Sequence, residues 1–316
     1  MSKIRTAVIG VGYLGQFHAE KYANLPNVEL VGVADQDGVR AAQIAEKLNT
    51  RAFDDPARLL GSVDAVSIVV PTVLHHRVAK VFLEAGVHVL LEKPVTVTLE
   101  QADELISLAE RKRVIFQVGH IERFNPAITA IKPLLKAPRY VQAERSAPFT
   151  VRCTDVNVVL DLMIHDLDIV ADVAGSKPNK VSAMGTSVIT REIDSVIARI
   201  VFENGCIADV AASRVSDEKK RVIRVFDGDT LYAADYQTQK AFVSRRGTAT
   251  VPDLVTSELP TERRDTLLDE IRSFIASIES GKPPQVSGTE GRNALALARL
   301  ITHCIEQGTA DFVPFS

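Results

Sequence analysis

Tryptophan is absent from the 316-residue chain, and aromatic residues make up only 5% of it. Stacking of a ligand on an indole ring is therefore excluded, so a bound sugar or base must rely on hydrogen bonds and on Phe or Tyr faces. Cysteine is also scarce: Cys153, Cys206 and Cys304 are odd in number and far apart. They form neither a CxxC pair nor a Cys/His zinc spacing, and they suggest no disulfide framework. Three reduced thiols in a reducing compartment are expected. An excess of one charge is missing too, with 37 Lys plus Arg against 40 Asp plus Glu and a net charge of −3. That balance argues against a body built to follow phosphate backbones, and no nucleic-acid partner is expected. Nowhere do apolar residues run for the roughly 18 positions of a membrane helix. The run before Gly10 is too short for a signal peptide. A soluble, cytoplasmic protein with no membrane association is expected.

What is present is an ordinary globular composition, 46% apolar and 24% charged, sufficient to bury a sizeable core. At about 100–200 residues per domain the length suggests two. Residues 1–121 alternate short apolar runs (Thr6–Ile9, Val28–Ala34, Val63–Val70, His88–Glu92, Val114–Val118) with helical patterns. Runs without polar alternation suit parallel strands buried on both faces, so the repeated β–α alternation predicts a doubly wound α/β sheet. Residues 122–316 read differently. Strand-like runs from Lys180 to about Thr256, with turn signals at Glu203-Asn-Gly205 and Asp227-Gly-Asp229, lie between helical stretches. This predicts an α+β domain with a mostly antiparallel open sheet. One helix is expected over Asn157–Ala174 and two more near Arg263–Glu279 and Thr289–Gln307.

Three motifs carry chemistry. Gly10-Val-Gly12-Tyr13-Leu14-Gly15 follows the first strand-like run and opens a helical stretch, the context that gives three glycines meaning. Gly10 permits the tight turn, Gly12 lets a pyrophosphate approach the backbone, and Gly15 lets helix and strand pack closely. Tyr13 and Leu14 complete this cofactor-binding turn. The diphosphate is expected on the helix N-terminus, where free N–H groups and the macrodipole favour anions. Asp35 stands 20 residues beyond Gly15. There it can accept hydrogen bonds from ribose hydroxyls and repel a 2′-phosphate, which predicts NAD rather than NADP. Without a ligand the same segment is a plain strand–turn–helix with Asp35 as a cap.

Glu92-Lys93-Pro94 ends a strand-like run, so Lys93 should project into the cleft beyond the carboxyl ends of the strands. Beside an oxidised nicotinamide its pKa falls, and it can relay a proton. By itself, a solvated lysine paired with Glu92 is the plainer reading. In Asp161-Leu-Met-Ile-His165-Asp166, Asp161 and His165 share a helix face, as do Asp168 and Asp172. An imidazole poised near neutrality is the usual acid/base for carbinol oxidation, and a carboxylate can hold its tautomer. An acidic solvated face is the alternative. His120, Asp161 and His165 offer metal-ligand types, but no other spacing supports a site and no metal is expected.

In their order and spacing, Gly10-x-Gly12-x-x-Gly15, Glu92-Lys93-Pro94 and Asp161-x-x-x-His165 resemble the Gfo/Idh/MocA oxidoreductases, over essentially the whole chain. The resemblance implies a nicotinamide-dependent dehydrogenase acting on a sugar or cyclitol hydroxyl. His165 would take the hydroxyl proton as hydride leaves to NAD, Lys93 would hold the same oxygen, and Asp161 would contact substrate or Lys93. It also implies that Pro71, Thr72 and His75 line the cofactor and that Glu92 belongs to its site. Gly119-His-Ile-Glu122-Arg123-Phe-Asn125-Pro126 is similar to members that act on UDP-N-acetylglucosamine, oxidising its 3-hydroxyl on the way to an amino sugar of lipid A. Substrate contacts are then expected from Lys93, Arg123, Asn125, Arg152, Asp161 and His165, with Arg123, Arg145 and Arg152 near a diphosphate. Each arginine could equally pair with Glu122, Glu144 or Asp155. Lys93 and His165 fall on opposite sides of the expected boundary, so the active site is expected at the domain junction. The alternatives are a dehydrogenase of free sugars or inositol, and a non-catalytic NAD-binding sensor or co-regulator, which would not need Lys93 and His165. The resemblance further implies a homodimer or homotetramer formed through the later sheet.

Overall fold

The apolar runs of the N-terminal third pair side by side, as strands covered on both faces must. The computed structural model describes residues 3–150, 156–248, 251, 253–308 and 312–315. Within it β1 (Ile4–Ile9), β2 (Val28–Ala34), β3 (Arg51–Phe53), β4 (Ala65–Ile68), β5 (His88–Glu92) and β6 (Phe116–Gly119) form one sheet. Its order is β3-β2-β1-β4-β5-β6 and every pairing is parallel. Helices α1 (Gly15–Ala23), α2 (Gly38–Lys47), α3 (Thr72–Glu84) and α4 (Leu99–Lys112) make the connections. This is the doubly wound Rossmann order, in which ligands bind beyond the strand carboxyl ends where the order reverses, beside β1 and β4. Local signals set the boundaries. Thr98 and Gln101 form the expected capping box before α4, satisfying two helix-end donors reciprocally. Asp55 caps the short 3-10 turn Pro56–Leu59 by accepting Ala57 N–H. The edge strand β3 was not anticipated, since three residues give too little pattern.

The later chain contributes α5 (Pro126–Ile131), β7 (Pro138–Ser146), α6 (Ile164–Ala174) and β8 (Pro178–Thr186). Next come β9 (Ser195–Phe202), β10 (Ile207–Ser213), β11 (Lys220–Asp227) and β12 (Thr230–Asp235). Then follow β13 (Lys240–Arg246), β14 (Leu254–Leu259), α7 (Thr266–Ser280), α8 (Gly288–Glu306) and β15 (Val313–Pro314). The second sheet runs β14-β13-β12-β11-β7-β10-β9-β8-β15, and only β7 and β10 pair parallel. Strict alternation along β9 buries Val196, Ala198, Ile200 and Phe202 against the core while Ile197 and Arg199 face outward. That is the pattern of a sheet packed on one face. β13 and β14 form one edge of this sheet.

Two units result. One holds the chain up to Ile121 together with Asp265–Arg292, and the other holds Glu122–Arg264 and the chain from Asn293. The sequence reading assigned all of 122–316 to the second domain, and α7 corrects it. Leu267, Ile271, Phe274 and Ile275 are buried in one cluster with Val8, Tyr22 and Val33. Burying a side chain such as Phe274 contributes about 1.5–3 kcal/mol, and an amphipathic stripe does not say which sheet it will cover. Cys206 and Cys304 are buried free thiols; burial pushes Cys206 up to about 11. Cys153 lies outside the described residues.

Candidate active site

The turn from β1 to α1 is built to leave room for a ligand. Gly10 has φ +83°, and a Cβ there would sit 2.4 Å from the Val69 carbonyl oxygen. A Cβ on Gly15 would lie 1.8 Å from the Gly10 oxygen, whereas one on Gly12 would meet nothing within 4 Å. Two glycines thus satisfy internal packing, and the third opens the backbone to the outside, as a pyrophosphate requires. Tyr13 and Leu14 are exposed on the same turn. Beside it lies a cavity of about 490 Å³ lined by Gly10, Gly12, Asp35, Arg40, Pro71 and Arg77, among others. Asp35 accepts Val11 N–H at 2.8 Å and Asp37 N–H at 2.9 Å, and Arg40 Nη2 reaches it at 3.1 Å. Its carboxylate is held in place at the end of β2, at the adenosine-ribose position of a Rossmann unit. These features fit a dinucleotide.

Pro71 and Thr72 open α3, and Pro71 borders the cavity. His75 is committed elsewhere. Its Nδ1 lies 2.8 Å from Pro94 O and its Nε2 2.8 Å from Val70 O, so it ties α3 to the Glu92–Pro94 turn. Burial pushes its pKa down, against the pull of those carbonyls. Glu92 also turns inward: Oε2 accepts Lys93 N–H at 3.2 Å and Oε1 is 3.2 Å from His18 Nε2. The carboxylate packs on Gly119, where an added Cβ would approach it to 2.9 Å. Lys93 follows β5, at the carboxyl edge of the sheet.

In the second unit the expected single helix begins differently. Asn157 Oδ1 accepts Leu160 N–H, and Val159–Met163 form a π turn before α6 begins at Ile164. Asp161 sits within the wide turn and His165 in the first turn of α6, both half-buried. π turns occur mostly as single inserts and often at functional sites. A 3.6-residue pattern cannot reveal one, because the apolar period resumes after it. Gly175 ends α6 with φ +59°, as anticipated.

The acidic face of α6 is not solvated. Asp166 accepts Arg145 Nε at 2.6 Å, and Arg145 also donates to Glu122 Oε1 at 3.1 Å. Burial pushes the Asp166 carboxyl up, with Arg145 opposing it. Arg123 grips Asp168 at 2.6 and 2.9 Å and Asp172 at 2.5 Å. Asn125 caps α5 by accepting Ala127 N–H and donates to Glu122 Oε2 and Tyr236 O. Arg123, Asn125 and Arg145, expected as substrate or diphosphate contacts, are all buried, and each is engaged with protein groups. Arg152 lies outside the described residues. Arg221 on β11 was missed by the sequence reading. It is half-buried, 4.0 Å from Glu122, and the charge of Asp161 acts on it.

A glycine turn open to a pyrophosphate, an acid at the end of β2 and a lysine beyond β5 define a class, the dinucleotide-dependent oxidoreductases with a Rossmann unit. Residues 4–120 match the model of the oxidoreductase family with NAD-binding Rossmann fold, and residues 138–230 match the GFO/IDH/MocA C-terminal domain. The chain belongs to the Gfo/Idh/MocA family of oxidoreductases. It is 42% identical to the UDP-N-acetylglucosamine 3-dehydrogenase of Acidithiobacillus ferrooxidans, over 97% of this chain and 98% of that one. A solved structure of that enzyme superposes with a TM-score of 0.93 at 41% identity, covering 97% of this chain and 99% of the other. The myo-inositol 2-dehydrogenase of Thermotoga maritima is 26% identical over 96% of this chain and 97% of its own. Among the described residues no helix is long and apolar enough to cross a membrane.

Proposed function

We propose that this enzyme oxidises the 3-hydroxyl of UDP-N-acetylglucosamine to a ketone with NAD as acceptor. The observation that carries the substrate is the 42% identity with the Acidithiobacillus enzyme, against 26% with the inositol enzyme. Gly10, Gly12, Gly15 and Asp35 would hold the dinucleotide, which supplies the hydride acceptor when bound. His165 removes the hydroxyl proton. Lys93 donates a hydrogen bond to the same oxygen and stabilises the charge that develops on it. Asp161 orients Lys93 or the substrate. With UDP-N-acetylglucosamine and NAD, formation of the reduced nicotinamide is expected; activity on inositol or free sugars with none on nucleotide sugars would overturn the substrate.

Asp35 supports NAD over NADP, because a second negative charge would meet a carboxylate already fixed by two N–H groups. Asp35→Asn should lower kcat/KM for NAD by about 10–100-fold, the worth of a hydrogen bond to a charged group. It should also narrow the preference over NADP. An unchanged NAD/NADP ratio would count against the assignment. The outward face of the second sheet supports a homodimer or homotetramer: Met184 and Ile197 pair across β8 and β9 and are 64% and 54% exposed. Sedimentation velocity should show an oligomer, and a stable monomer would reject it. The buried thiols suit a reducing cytoplasm.

A further inference from the structure

Three ionisable side chains meet in the interior of the first unit, behind Lys93. His18 comes from α1, Glu92 from the end of β5 and Glu270 from α7, and one nitrogen or oxygen of each lies within 4.8 Å of the other two. His18 and Glu270 are fully buried, and the Glu92 side chain is 12% exposed. The partners of this cluster are unevenly shared. His18 Nδ1 lies 3.2 Å from Ser67 Oγ, which meets the Tyr22 hydroxyl at 2.8 Å. Glu92 has the His18 ring on one side and the Lys93 N–H on the other. No donor among the described residues reaches either carboxyl oxygen of Glu270. Gln117 donates instead to the main-chain oxygen of Glu270.

Charge decides what such a site can be. Two carboxylates sharing a site away from water cannot both stay ionised, and the one without cationic neighbours keeps a proton. The groups facing Glu270 are His18 and Tyr22 from α1, Glu92 from β5 and Gln117 from β6. Support for a negative charge falls on Glu92, which has the His18 ring and the Lys93 N–H beside it and feels the Lys93 charge. We propose that Glu270 is a neutral acid sharing its proton with Glu92, so that His18, Glu92 and Glu270 form one buried proton-holding unit. This unit sets a single negative charge behind Lys93, and Glu270 is a positioning residue acting through Glu92. The link to turnover rests on the reading that Lys93 serves the reacting hydroxyl; the protonation of Glu270 does not. Burial and the Glu92 charge push Glu270 well above the ordinary carboxyl range. Burial would also raise Glu92, but His18 and Lys93 more than offset it and leave it below.

The test compares the wild-type enzyme with Glu270→Gln, a neutral isostere. Because Glu270 binds its proton more tightly folded than unfolded, its stabilising contribution is complete below the usual glutamate range and is lost as pH rises through its raised value. The melting temperature of the Gln variant relative to wild type should therefore climb as pH rises from about 5 to about 8. A flat difference over that range would show a Glu270 already ionised at pH 5 and overturn the proposal, as would the opposite slope. Infrared spectra of the wild type should carry a buried protonated-carboxyl band that the variant lacks, a readout that survives if the variant folds poorly; a wild type without the band rejects the neutral acid. The kinetic arm reads the alkaline limb of the kcat profile. In the wild type, loss of the shared proton adds negative charge behind Lys93 and holds its ammonium, so the limb should move to lower pH in the Gln variant. An unmoved limb with the expected melting slope would mean that Glu270 is structural only. Stoichiometric divalent metal in the purified protein, lost in the Gln variant, would replace the shared proton with an ion and overturn the proposal. If no nucleotide sugar is turned over, the melting and infrared arms still decide the protonation.

Discussion

Replacing His165 by alanine or Lys93 by methionine is expected to lower kcat by about 10²–10⁴-fold each, the usual worth of a positioned acid/base group. The affinity for NAD should change little, because the glycine turn and Asp35 stand on other elements, at the ends of β1 and β2. Neither residue is offered as a fold determinant. His165 is half-buried in the first turn of α6 rather than part of the core, and Lys93 follows the last residue of β5. Under the proposed roles the two losses should be strongly non-additive, the double variant being scarcely slower than the worse single one. Turnover kinetics together with calorimetric titration of NAD separate the two effects. Unchanged rates in both single variants would remove the assigned roles and favour a sensor on the same fold.

Arg145→Met is expected to destabilise the protein by about 3–5 kcal/mol, because it strands two buried carboxylates. Arg145 bridges Asp166 on α6 and Glu122 in the turn before α5, and its guanidinium lies 5.4 Å from the centre of the Tyr236 ring. Asp166 is already pushed up by burial with the cation present, and without Arg145 its only way to lose charge is to bind a proton. A carboxyl whose folded pKa is raised contributes stability that is complete below its unfolded range and falls as pH rises through the folded value. The deficit of the variant should therefore be larger near pH 7 than near pH 5. Urea midpoints at both pH values measure it. A loss below about 1 kcal/mol at pH 7 would mean that Arg145 contributes packing alone.

These two predictions fall on opposite sides of what could be read from sequence. The glycine turn Gly10–Gly15 and the place of Asp35 at the end of β2 were legible because each is a local arrangement: a strand end, two glycines with no room for a Cβ, a helix start. The capping box at Thr98 and the stop at Gly175 were legible for the same reason. The protein partners of Arg123, Asn125 and Arg145 were not legible. An arginine is suited both to a diphosphate and to a carboxylate pair, and only the tertiary fold puts Asp166 of α6 beside Arg145 of β7 and Asp168 of α6 beside Arg123 in the turn before α5. Glu270 left a trace that was overlooked, an acid on the apolar stripe of Leu267, Ile271 and Phe274. Such an acid needs a reason to be inside, and that reason lies far away in the chain, at His18 and Glu92.

Sequence by itself determined the class of each half, since a period of two or 3.6 residues and the absence of alternation are set by the residues of one segment. It also determined which segment could carry a dinucleotide. Tertiary structure decided which carboxylate each buried arginine neutralises, that α7 covers the first sheet rather than the second, and that the Asp161 turn opens into a π turn. It decided as well that Glu92 faces the interior. All of these depend on contacts between residues many positions apart, and burial makes an unpaired charge costly wherever it falls. The chain therefore announces its charges but not their partners.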